Sequence, residues 1–222
     1  MRLNAEDHAR VTAAVTEAES HTDGEIVTVV ARSSDAYHDV ALHWAVLAML
    51  LVLALLAWQP GPVEWLHARL VDGWSETPPG WYLAFALLLM VVVFLAVRFA
   101  FAWDALRMLA TPGATKTRRV GRRALALFRT AAENRTRAST GVLLYLSLAE
   151  HRAEIIADES IHSKVAPEVW GEAMAELIAA VKDGRPGDGM AEAVAHIGKV
   201  LAEHFPRSDG DTNELPDRLI EI

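Results

Sequence analysis

Three groups of side chains in this sequence have types and spacings that could do chemistry. Asp158, Glu159 and His162 bring two carboxylates and an imidazole within little more than one helical turn, a donor set suited to a divalent cation. Arg32, Ser33, Ser34 and Asp35 form half of a second group, and Glu150, His151 and Arg152 form the other half. Guanidinium and hydroxyl donors there could hold a phosphate or a binding partner, and the carboxylates a cation. Arg118, Arg119, Arg122 and Arg123 are the third group, fit for anionic lipid headgroups at about 1 kcal/mol per basic residue near a membrane surface. Each group also has a plainer reading: solvated loop carboxylates beside a helix-entry histidine, ordinary strand-end loops, and positive charge that only fixes membrane orientation.

No residue is assigned a catalytic role. The sequence has no HExxH, no Gly-rich loop followed by Lys and Ser/Thr, no GxSxG and no dinucleotide fingerprint, so the common metal-protease, phosphate-loop and esterase sites have no candidate. With no cysteine, disulfides, thiolate zinc sites and cysteine nucleophiles are excluded. A net charge of -8 argues against nucleic acid as a partner. The expectation is no cofactor, with a divalent cation as the one exception the side chains would allow.

The elements that must position these groups follow from patterning. Asn4 caps a helix with Glu6 and Asp7 in its first turn and Val11, Ala14, Val15 and Ala18 on its inward stripe. After the Asp23-Gly24 turn, EIVTVVA from Glu25 to Ala31 is β-branched without alternation, which predicts a strand buried on both faces. GVLLYLSL from Gly141 to Leu148 and RAEIIAD from Arg152 to Asp158 predict an antiparallel pair, and the first two strands, separated by a helix, are most simply parallel. Their carboxyl ends then adjoin, uniting the two halves of the second group at one sheet edge. A basic helix over about Lys116 to Arg137, a helix opened by Pro167 and running to Lys182, and a last helix from about Met190 to Phe205 complete the set. The glycines between 184 and 189 read as a turn.

Two apolar runs interrupt this pattern. Ala41 to Trp58 has no formally charged residue and reaches roughly 27 Å as a helix. Trp81 to Ala102 is uncharged up to Arg98, which can snorkel to the headgroups. Trp44, Trp58, Trp81 and Trp103 lie near the ends, as interfacial anchors do. The sequence thus predicts a membrane hairpin over 41–103, with one domain built from 1–40 and 104–206 and a polar tail over 207–222. Arg98, Arg107, Lys116, Arg118, Arg119, Arg122 and Arg123 follow the second run, against only Arg69 between the runs. Positive-inside orientation puts both termini and the folded domain in the cytoplasm, beside the cell membrane.

The stretches TDGEIV from Thr22 to Val27, TGVLLYLSLAEHRAEIIAD from Thr140 to Asp158, and GRPGDGMAEAVAHIGKVLAEHF from Gly184 to Phe205 resemble the TPM-domain family. The likeness extends to bacterial membrane proteins of that family in which a two-helix insertion follows the first strand. It implies an α/β fold, a small mixed sheet with helices on both faces, interrupted here by a transmembrane helical hairpin. Relatives include a thylakoid-lumen protein reported as an acid phosphatase, a photosystem repair factor and an accessory protein of a ligand-gated channel. That breadth implies no single activity; together with the hairpin and the absence of a catalytic motif, it leads to the expectation of a non-catalytic interaction or accessory module whose partners are membrane lipids and other membrane proteins. The alternative it implies is a divalent-cation-dependent, phosphatase-like hydrolase.

Overall fold

The structure, a computed structural model, describes residues 3–71, 73–131, 140–166, 168–208 and 215–222. The chain divides into two compact units, one of residues 1–35 and 113–222 and one of residues 36–112.

The first unit is an α/β sandwich. Helix α1 (Ala5–Glu19) starts in a capping box: the Asp7 N–H donates to the Asn4 side chain at 2.8 Å and the Asn4 N–H to Asp7 at 2.9 Å, satisfying two of the helix's orphan donors. Strand β1 (Glu25–Ala31) pairs in parallel with β2 (Gly141–Ser147), from Glu25 opposite Gly141 to Ala31 opposite Ser147. β2 pairs antiparallel with β3 (Arg152–Ala157). Both β1 and β2 are buried along their whole lengths, which is why neither alternates. The tail supplies β4 (Ile220–Glu221), parallel to β1, so the sheet order is β3-β2-β1-β4.

One sheet face is covered by α1, α8 (Val169–Lys182) and α9 (Pro186–His204), joined to β3 through the short α7 (Glu159–His162). Their core includes Val11, Val15, Ile26, Val30, Leu144, Leu146, Leu177, Val194 and Ile197. Helix α9 begins at Pro186, not at Met190 as the sequence suggested. Proline is well placed in a first helical turn, and Gly184, at φ 83, is the glycine that makes the turn. Gly189 is helical and buried, and a Cβ there would stand 2.7 Å from the Ala180 Cβ. That glycine serves close packing rather than a bend. Pro167 lies outside the described residues.

Among the described residues the other face carries α6 (Gly113–Ala131), the described part of the expected basic helix; 132–137 lie outside the described residues. Val120, Ala124 and Phe128 are its buried stripe, packed with Val27, Val29, Leu143 and Tyr145. Leu125 is 40% exposed, because the 120/124/128 spacing selects Ala124 for the inner face. Half-buried Glu154 of β3 lies beneath α6, its Oε1 3.7 Å from where a Gly121 Cβ would be. Burial pushes the Glu154 carboxyl up, and nearby Arg152 pulls it part of the way back. A carboxyl raised in this way holds its proton more tightly in the folded chain. Its contribution is therefore fully present below the ordinary glutamate value of about 4.3 and is lost as pH rises through the raised value. Glu154→Gln is expected to melt higher than the parent at pH 7, on the order of 1–2 °C. The gap should close at acid pH in thermal denaturation of the detergent-solubilised chain; a gap unchanged by pH would contradict this reading of Glu154.

The second unit contains α2 (His38–Trp58), α3 (Gly61–Leu70), α4 (Pro79–Ala100) and α5 (Asp104–Ala110). α2 and α4 pack side by side and are long and apolar enough to cross a membrane. Helix α3 falls in the segment between the runs that sequence patterning left without an element. Tyr82 donates to Glu64 at 3.0 Å, and the His67 and Trp81 rings meet edge to face at 5.2 Å. The Trp44 indole donates to the Ala110 carbonyl at 3.3 Å.

Candidate functional site

The parallel pairing of β1 and β2 brings Ser33, Ser34 and Glu150 together. Ladder bonds continue past the strands: the Leu148 N–H reaches the Ala31 carbonyl and the Ala149 N–H the Arg32 carbonyl, each at 3.0 Å. The turn that follows passes through His151 at φ 48, and Glu150 points back into the sheet end, only 6% exposed. One of its oxygens accepts from the Ser34 N–H at 2.9 Å and the Ser33 hydroxyl at 3.4 Å, and the other from the Ser147 hydroxyl. The Ser33 hydroxyl also lies 2.7 Å from the Asp35 carbonyl, and the Ser34 hydroxyl 2.9 Å from the Tyr145 hydroxyl.

Glu150 is thus surrounded by donors, which satisfies a buried carboxylate and fixes the 33–35 loop. Burial pushes the Tyr145 phenol up, with the Ser34 and Ser147 hydrogen bonds opposing it, so at neutral pH it stays a neutral member of this network. Tyr145 and Ser147 were missing from the sequence-derived edge. Their only signal there was position, on a strand whose end adjoins the 33–35 loop. The remaining members diverge: Arg32 and His151 are exposed, and the Arg152 guanidinium turns to the Gly113 carbonyl at 3.4 Å.

At the opposite end of the sheet, the Asp158 carboxylate accepts from the Gly141 N–H at 2.9 Å, and its carbonyl receives the Ile161 and His162 N–H groups at 3.0 Å. Asp158 is buried, while Glu159 and His162 are exposed on the short α7. Among the described residues no group of three or more His, Asp or Glu is gathered as a metal would need. Glu25, also near this end, accepts from the Leu215 N–H at 3.1 Å.

On α6, Arg118, Arg122 and Arg123 are exposed, while Arg119 is partly buried and pairs with Asp35 at 3.1 Å. Arg119, Arg122, Arg123 and Ala126 line an open polar hollow with Ser34 and Asp35, of about 220 Å³. The loop that Glu150 holds is one wall of it, and Arg118 does not line it.

Residues 106–200 match the family model described as TPM domain. Among solved structures, the chain is similar to the NMR structure of the BA42 protein from the psychrophilic bacterium Bizionia argentinensis, at 17% identity and a TM-score of 0.57. That likeness covers 100% of this chain and 97% of that one. A comparison with curated proteins gave no match.

Proposed function

We propose that this chain, whose residues 106–200 match the TPM-domain family model, is a membrane-anchored accessory module whose α2–α4 hairpin crosses the cell membrane. The folded domain then sits on the cytoplasmic side and contacts membrane proteins and lipids. The observation that carries this reading is the surface of the two long helices. α4 buries no residue, and Leu47, Leu50, Leu51, Leu83, Leu87, Leu88, Val92 and Leu95 are all exposed. So large an apolar surface, continuous around two helices, is matched by lipid chains and not by water.

The accessory role is supported by where the polar groups are used. The buried carboxylates of Glu150 and Asp158 accept backbone and hydroxyl hydrogen bonds of their own fold. Cross-linking in native membranes followed by affinity capture of the intact chain tests it: a reproducible membrane-protein partner is expected. Turnover of a phosphoester by the purified chain with Ca²⁺ or Mg²⁺, lost on Asp158→Asn with Glu159→Gln, would instead favour the cation-dependent hydrolase.

A further inference from the structure

We propose that the arginine-lined hollow between α6 and the 33–35 loop recognises a phosphate group, presented either by an anionic lipid or by a soluble phosphoester; the lipid source rests on the anchored reading, the hollow itself does not. Arg119, Arg122, Arg123 and Ala126 recur at helical spacing, so one face of α6 turns three guanidinium groups toward Ser34 and Asp35. The volume of about 220 Å³ accommodates a phosphate with a few waters, each of which occupies about 30 Å³ in the liquid.

Three features make this more than a charged helix face. Both walls are held in place. α6 is docked on the sheet by Val120, Ala124 and Phe128, and Ser34 is tied by its N–H to Glu150 and by its hydroxyl to Tyr145. A site whose walls are already ordered needs little rearrangement to bind. The charge balance is also favourable. Among the described residues Asp35 is the single carboxylate of the lining, and it engages Arg119 at 3.1 Å, which orients that guanidinium and leaves the exposed Arg122 and Arg123 as the donors for an incoming anion. Planar guanidinium forks match phosphate oxygens in pairs, which lysines would not do.

The third feature is position along the chain. Asp35 is the last residue of the sandwich unit before the hairpin unit, and α6 begins at Gly113, the first residue after it. Both strands of connection to the apolar helices therefore leave from elements that build the hollow.

The test uses the full chain in nanodiscs, with two probes. Inorganic phosphate is titrated by calorimetry against chain in neutral phosphatidylcholine, and phosphatidic acid doped into the same lipid is counted on the chain by native mass spectrometry. Arg122→Gln with Arg123→Gln is compared with Lys116→Gln with Arg118→Gln, which removes the same charge from the same helix outside the hollow. The hollow variant should lose at least about tenfold in binding in one arm or both, and the control less than about twofold. Loss confined to phosphatidic acid identifies the lipid headgroup, and loss with inorganic phosphate identifies a soluble phosphate group. Equal losses in the two variants, or no binding of either probe, would overturn the proposal. A chain that proves not to be anchored would remove the lipid source and leave the phosphate arm to decide.

Discussion

Gly189→Val is expected to destabilise the sandwich unit by about 3 kcal/mol, near the upper range for overpacking a tight interior. The cause lies in the approach of α8 to α9. A Cβ at position 189 would stand 2.7 Å from the Ala180 Cβ, 3.2 Å from the Leu177 carbonyl oxygen and 3.2 Å from a Leu177 methyl. Two of these three neighbours are fixed to the backbone of α8, so no rotamer change relieves them and the helices must part. Both helices bury side chains in the same core, Leu177 and Val181 from one and Met190, Val194 and Ile197 from the other. Their separation therefore opens gaps under the sheet. Thermal or chemical denaturation checks this, and Ala180→Gly in the same background should recover part of the loss. An unchanged melting curve would show that α8 and α9 do not approach as described.

Leu88→Arg should disfavour membrane insertion of α4 by about 2.5–3.5 kcal/mol, the cost of a cation at the centre of a transmembrane helix. Leu88 lies near the middle of α4 and is 63% exposed. That exposure makes the experiment decisive. If water surrounded the helix, an arginine there would change stability within about 0.5 kcal/mol, as at other surface positions. If lipid surrounds it, the inserted fraction falls, and a glycosylation-site insertion assay reads the fall directly. Trp103→Arg, just past the helix end, serves as the matched charge at the interface and should have little effect. Equal behaviour of the two variants would contradict the lipid-facing assignment.

Much of the sandwich was legible because its strands are unusually apolar. EIVTVVA and GVLLYLS do not alternate, and the burial of β1 and β2 on both faces is the reason. Their parallel pairing followed from the intervening helix and the β2–β3 pairing from the short connection, and the ladders agree. β4 was missed because two residues have no period, and its pairing with β1 joins positions far apart in the chain. The start of α9 was misread because glycines that permit close packing look, in sequence, like glycines that permit a turn; only Gly184 has the positive φ that a turn uses.

At the sheet edge, topology alone brought Ser33, Ser34 and Glu150 together, but it could not say which of the group faced inward. His151 and Arg152 follow Glu150 in sequence yet turn away, one exposed at φ 48 and the other toward Gly113. Arg119 was seen as one of four equivalent cations. Its pairing with Asp35 separates it from Arg118, and nothing local to either residue encodes that partnership.

Extraction of membranes with alkaline carbonate, from cells producing the chain with a reporter fused after Ile222, tests the anchored account most directly. The account predicts that the chain stays with the pelleted membranes and that the reporter is active only in the cytoplasm. A chain released into the supernatant, or a reporter active only on the outer side, would contradict it.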